Sequence, residues 1–504
     1  MSDAGGALRL LSSTDAKDAD GVFRAVILAN REGLEAAALP LARAGAAANP
    51  TDARMWQVLG LIERRLEALA PAIEALQRAA ELAPADPLIA HTLARATMEA
   101  GLPAIALFDR AVALAPDDAS VLLGRVAAQF AEGRLEDAIA GLEAQLGPNP
   151  GWIQGHASLA RLRWVRGERD AFTGSMERAV AAFPDAIAVW RELIDTLMHA
   201  ALYDEALDAI TRARKAAGDN PIFDAQEAVC FAEAGRTERA DRAFAAIWPI
   251  GHVTMAARYL RHLLRAGRPE EAAAFAETWL GRDPDNLTIP YLSAAWRLLG
   301  DSRWRWLEGD ERLIGVYDIA DRIPSLDALA ARLRGLHLPL DQPLEQSLRG
   351  GTQTDGPLFS RIEPEIVALR QGIVETVEAH VAQLPPPQPG HPTLQERRGP
   401  IRFAGSWSVR LTDAGFHVNH VHPAGWISSA FYVALPEASM GGETHAGWLS
   451  IGEATELGLD LPPIRLIEPK PGRLVLFPSS LWHGTRPFAE GERLTVAFDV
   501  ARPL

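Results

Sequence analysis

The residues of this chain that could do chemistry gather near its end. His420 and His422 stand two apart in NHVHPAGW, His483 follows in LFPSSLWHGTRPF, and Arg493 and Thr495 stand two apart in ERLTVAFDV. Imidazoles that arrive from separate strands on one concave face suit a metal ion that keeps open coordination positions. Side chains two apart on a strand project to the same face, so His420 and His422 can reach one ion together, while His483 must come from another strand. Arg493 and Thr495 likewise share a face and offer a guanidinium fork and a hydroxyl to a carboxylate. The pattern is that of a metal centre beside a carboxylate-binding pair.

A sheet must carry these residues. From Ser406 onward the pattern has period two with turn punctuation, in SWSVRLT, GFHVNHVH, ISSAFYVAL, AGWLSIG, RLIEP, GRLVLFP and ERLTVAFDV. Seven or eight short strands broken by Gly and Pro predict a β-sandwich or jelly roll, and they are too short for βαβ units. The composition changes near residue 300, at DSRWRWLEGDERLIGVYDIADRIPS, where a new domain begins. Helices are expected over Ser325 to Leu336 and over Pro364 to Leu384, the second with Ile366, Leu369, Ile373, Val377 and Val381 on one face, packed against a sheet. The Pro-rich QLPPPQPGHPTLQERRGP is a loop, in which His391 reads as solvated.

Residues 17 to 284 are rich in Ala, Leu, Glu and Arg, with helix-ending prolines at 50, 84, 116, 150, 184 and later 284; the first intervals are 34 with one of 32. This period marks a solenoid of helix pairs. Trp56, Leu59, Gly60, Ala72, Leu76, Ala79 and Pro84 resemble the tetratricopeptide (TPR) repeat. Small Gly60 and Ala72 would let paired helices approach, and Trp56, Leu59 and Leu76 would fill the space between neighbours. About eight units are expected, with a capping helix near Asn286 to Leu299. His91, His156, His199 and His252 lie in the array without ligand spacing.

The carboxy-terminal motifs resemble the 2-oxoglutarate- and Fe(II)-dependent oxygenases. That resemblance implies metal ligation by His420, His422 and His483, and cosubstrate binding by Arg493 with Thr495. QSLRGGTQT (346–354) and LFPSSLWHGTRPF are also similar to the subgroup whose barrel follows TPR repeats. One departure concerns His422, where most of the family carries Asp or Glu. The change raises the charge of a Fe(II) site by one, and an ordered water, Glu443 or Asp413 is the alternative ligand. His417 and His445 have no family counterpart and read as surrounding residues. Trp407, Trp426, Trp448 and Trp482 read as core. Arg349, Thr352 and Gln353 could cover the site, or form an ordinary turn.

The formal net charge of −15, with no offsetting basic run, argues against nucleic-acid or anionic-membrane partners. The single cysteine, Cys230, cannot form an internal disulfide and reads as a buried thiol. No secretory pattern or apolar run of about 18 residues is present, so a cytoplasmic protein is expected. The combined reading is multidomain α + β: an N-terminal segment (1–16), a TPR α-solenoid (17–300), and a double-stranded β-helix (jelly-roll) oxygenase domain with flanking helices (301–504). The resemblance implies Fe(II), 2-oxoglutarate and O2, and hydroxylation of a protein or peptide recruited by the TPR groove. The rivals are a cupin-type metalloenzyme, whose usual Glu is missing at Trp426 and Ile427, and a noncatalytic TPR scaffold with a degenerate barrel.

Overall fold

The computed structural model describes residues 3–338, 348–422, 425–436, 442 and 445–503. Helices dominate up to Leu298. After a leading helix, Ala4–Ser13, they come in pairs: Ala19–Arg31 with Glu35–Ala48, Ala53–Arg65 with Leu69–Leu82, Pro87–Glu99 with Ile105–Leu114, and Ala119–Ala131 with Leu135–Leu146. Four more pairs follow: Ile153–Val165 with Gly174–Ala182, Ile187–His199 with Tyr203–Ala217, Pro221–Glu233 with Thr237–Ala246, and Val253–Arg265 with Pro269–Glu277. The helix Ile289–Leu298 ends the series.

The repeat is written in caps and close contacts. Asp18, Asp52, Asp86 and Asp118 each accept a backbone N–H at the start of the first helix of a pair, satisfying donors that a helix start leaves open. Inside the second pair, a Cβ on Gly60 would stand 2.6 Å from Leu76 Cγ and 3.0 Å from the Ala72 carbonyl oxygen. Glycine there is a packing requirement. The indole of Trp56 donates to the Pro50 carbonyl (3.1 Å), that of Trp190 to Pro184 (2.8 Å), and His156 Nε2 to Pro150 (3.0 Å). His156 therefore holds a repeat together.

The chain forms two compact units, one of Met1–Leu142 with Asp355–Val367, the other of Glu143–Thr354 with Ala368–Leu504. In the first, Ile362 packs beside Leu69, Ile73 and Leu93. In the second, the last repeats and the sheet share one core, in which Leu260, Leu264, Ile289 and Trp296 pack with Leu457 and Trp482. No helix among the described residues is long and apolar enough to cross a membrane.

Nine strands are seen among the described residues: β1 Gly315–Asp318, β2 Leu348–Gln353, β3 Phe403–His420, β4 Gly425–Ala434, β5 Leu449–Ile451, β6 Arg465–Ile467, β7 Arg473–Pro478, β8 His483–Thr485 and β9 Glu492–Ala501. They pair antiparallel in the order β1-β7-β4-β9-β3-β8-β5-β6, with β2 on β3, and form a half-barrel. The predicted strand SWSVRLT and the GFHVNH part of GFHVNHVH are one continuous β3 that ends at His420, because the glycine between them serves a strand contact and not a turn. A Cβ on Gly415 would lie 2.3 Å from the Gly350 carbonyl oxygen of β2. The flanking helices are Leu326–Arg334, capped by Ser325, and Pro364–Gln383. The five apolar residues predicted to share a face of the latter are all buried. His391 is not solvated. It is 3% exposed, donates from Nε2 to the Trp306 carbonyl (2.9 Å) and accepts the N–H groups of Thr393 and Leu394 at Nδ1 (3.0 Å each).

Candidate metal and carboxylate site

β3, β8 and β9 bring the five predicted residues to one cavity. His420, the last residue of β3, pairs across the sheet with His483, the first of β8. Their ring centroids are 4.3 Å apart. His422 differs from the expectation of a shared strand: it lies beyond the end of β3. Its position is fixed instead by its backbone, since the His422 N–H donates to the Ser479 carbonyl at 2.9 Å. The His422 ring centroid is 4.9 Å from that of His420 and 5.2 Å from that of His483.

One ligand nitrogen from each of the three rings falls within 4.8 Å of the others, and this is the one such group of three among the described residues. Their protonation is set locally. His420 Nδ1 is 2.8 Å from the Val418 carbonyl and His483 Nδ1 is 2.9 Å from that of Leu481, while His422 Nδ1 is 2.6 Å from Asp499 Oδ2. Each partner only accepts, so each Nδ1 carries a proton and Nε2 is left as the candidate ligand atom. Burial and then the neighbouring His422 ring pull His420 down to about 3, and burial with the adjacent imidazoles holds His483 well below the usual histidine range. Neutral imidazoles are the form that binds a metal.

On β9, Arg493 and Thr495 face the same cavity. Arg493 is 2% exposed, and its guanidinium carbon is 5.0 Å from the Tyr432 ring centroid. Burial lowers its pKa, and Tyr432 opposes that effect. Among the described residues no acceptor reaches its Nε and no carboxylate pairs with it. A buried guanidinium without an anion is costly. The donor set thus fits a divalent metal at the three Nε2 atoms and a carboxylate at Arg493.

Three further residues were not assigned a site role by sequence reasoning. Asp499 lies on the cavity face of β9, at the same parity as Arg493 and Thr495, and that alternation could have found it. Trp407 stacks on His422 at 5.6 Å and 26°. His417 stacks on His420 at 5.7 Å and 27°. A register shift between His417 and His420 brings both to the cavity although they are three apart, and no sequence spacing announces such a bulge. Thr352, by contrast, is tied to His337 Nδ1 at 2.8 Å, and with Arg349 and Gln353 it belongs to β2, paired along β3. Gln346, Glu443 and the Asp413 side chain lie outside the described residues.

A family model described as "Putative 2OG-Fe(II) oxygenase" matches residues 405–499, which contain all five predicted site residues, and a tetratricopeptide repeat model matches residues 104–162. Residues 405–499 are thus similar to that oxygenase family. The oxygenase domain follows the TPR repeats in the chain. Among solved structures, the chain is similar to the MamA protein (19% identity, 32% of this chain and 90% of that one, TM-score 0.30). It is also similar to YrrB, "a TPR protein with an unusual peptide-binding site" (16%, 34% and 90%, 0.29), and to a tetratricopeptide repeat protein from Parabacteroides merdae (16%, 46% and 93%, 0.31). No curated protein matches it.

Proposed function

We propose that the protein is a 2-oxoglutarate- and Fe(II)-dependent dioxygenase that hydroxylates a protein or peptide recruited by its TPR repeats, with the oxygenase part spanning 301–504 and the half-barrel being a double-stranded β-helix. One observation carries this reading: three clustered imidazoles and, among the described residues, a buried guanidinium whose Nε has no acceptor share a single cavity. His420, His422 and His483 would hold the metal. Bound Fe(II), with 2-oxoglutarate and O2, supplies the oxidising power for hydroxylation, coupled to decarboxylation of 2-oxoglutarate to succinate and carbon dioxide. Arg493 receives the far carboxylate of the cosubstrate, and Thr495 adds a hydroxyl beside it. A fixed guanidinium sets the orientation of the cosubstrate before reaction and so lowers the entropic part of the barrier. Leu449, Phe477 and Phe498 give the cavity an apolar part of its lining.

The partner class follows from the repeats. A cleft formed by the helices Ile187–His199, Pro221–Glu233 and Val253–Arg265 is lined by Met198, Ile222, Val229 and Met255, with Arg191 and Arg258 at its polar parts. Asp195, which pairs with Arg191, also lines it, and apolar side chains with a few polar groups suit an extended peptide segment. Purified protein incubated with Fe(II), 2-oxoglutarate, ascorbate and lysate-derived protein is expected to retain iron and release succinate, and His483→Ala to do neither. Absence of both iron and succinate in the unaltered protein would refute the reading.

A further inference from the structure

Three imidazole ligands would bring no charge to a dication, yet a carboxylate stands directly behind one of them. Asp499 Oδ2 accepts from His422 Nδ1 at 2.6 Å, and Asp499 Oδ1 accepts from Ser428 Oγ at 2.6 Å. Ser428 Oγ lies 2.9 Å from Ser479 Oγ, and the Ser479 carbonyl holds the His422 backbone. Both sides of the His422 anchor thus run through the same serine. The Asp499 side chain is 13% exposed. Glycine at 425 makes room for the network, since a Cβ there would be 2.6 Å from Ser479 Oγ and 3.3 Å from Asp499 Cβ. Trp407 covers the His422 ring.

We infer that Asp499 is a positioning residue that delivers a negative charge to the metal site through His422, one hydrogen bond removed from the ion. The inference rests on the metal reading proposed above. A carboxylate behind a ligating imidazole fixes its tautomer and raises the basicity of the nitrogen that faces the metal. Here it also offsets the charge left uncompensated by a ligand set of imidazoles alone. Among the described residues, the Nδ1 partners of His420 and His483 are uncharged carbonyls.

Charge and shape can be separated. Asp499→Asn keeps an oxygen that accepts from His422 Nδ1 and removes the charge, whereas Ser428→Ala keeps the charge and loosens its anchor. Co(II) is titrated into the full-length metal-free chain without 2-oxoglutarate, and thermal unfolding of each metal-free variant is recorded alongside. Asp499→Asn is expected to bind Co(II) about 10- to 100-fold more weakly than the unaltered chain, with Ser428→Ala within about threefold of it. Binding by Asp499→Asn within twofold of the unaltered chain overturns the inference. So does an equal loss in Ser428→Ala, which would make the network a matter of shape. The unaltered chain failing to bind Co(II), or His483→Ala binding as well as it does, sinks the metal reading itself and this inference with it.

Discussion

Arg493 is a charged side chain buried at a cost to the fold. The guanidinium is buried, its Nε is without an acceptor, and no carboxylate among the described residues meets it. Replacing a buried charge of this kind by an apolar side chain of similar length is often neutral or stabilising. Arg493→Met is therefore expected to raise the thermal unfolding temperature of the metal-free protein by a few degrees, a gain of about 1 kcal/mol. The same change should weaken 2-oxoglutarate binding on the order of 100-fold, since a buried charge pair lost on one side costs about 2–5 kcal/mol. Metal affinity should stay as it was. Differential scanning fluorimetry and a cosubstrate titration read the two effects separately, and a drop in stability would show that the cation is structural. The residues of this scale were largely legible in the sequence because strand alternation is rigid: Arg493 and Thr495 face one cavity, and the same rule extends two steps further to Asp499. It could not extend to His417, which a bulge turns to the cavity, or to His422, which sits beyond the strand and is aimed by its backbone bond to Ser479.

At the scale of elements, β2 is where the sequence misled. LRGGTQ (348–353) has the two adjacent glycines of a turn, yet it lies along β3, and the glycines are there because the strands come too close for side chains. A Cβ on Gly351 would stand 2.3 Å from the Arg410 carbonyl oxygen. The strand is also pinned by His337, whose Nδ1 meets Thr352 Oγ1 at 2.8 Å and whose Nε2 meets Ser408 Oγ at 3.1 Å. Ser408 in turn donates to the Thr495 carbonyl (3.1 Å), so this histidine braces β9 from behind. Burial, with Arg410 nearby, lowers His337 to about 4. Its folded value is thus below the ordinary value of 6.5. As pH falls through about 6.5 the unfolded chain takes up a proton that the folded chain refuses until about 4. Stability is therefore lost across that window and levels off below it, by about 3 kcal/mol for this group. Urea unfolding at pH 7 and at pH 4.5 should show a larger decline for the unaltered chain than for His337→Asn, which has no proton to take up. Equal declines would mean that His337 is protonated in the folded state as readily as in the unfolded one.

For the whole molecule, periodicity gave away the solenoid, because the aspartate caps and the prolines before them recur with the helix pairs they start and stop. It gave no sign that the short segment Asp355–Val367 belongs with the first compact unit, where the Ile362 N–H donates to the Ala100 carbonyl at 3.3 Å. Thirteen residues are too few to display a period. Nor did composition reveal that the change near residue 300 cuts through a shared core. Within the second unit Trp482 is 4% exposed, packs among Leu260, Ile289 and Leu292, and donates its indole N–H to the Pro290 carbonyl at 3.1 Å. Trp482 is not among the residues that line the histidine cavity, but the residue after it is His483. Its anchoring to the last helix of the solenoid therefore fixes the start of β8. Trp482→Ala removes a buried indole at a cost of about 3–5 kcal/mol, and it also releases the backbone that aims a proposed ligand. The variant is expected to unfold at lower temperature and to bind Co(II) more weakly. Trp482→Phe, which keeps most of the packing and loses the bond to Pro290, should fall between it and the unaltered chain in both. If Trp482→Ala loses stability but binds Co(II) with unchanged affinity, the solenoid supports the half-barrel without holding the site.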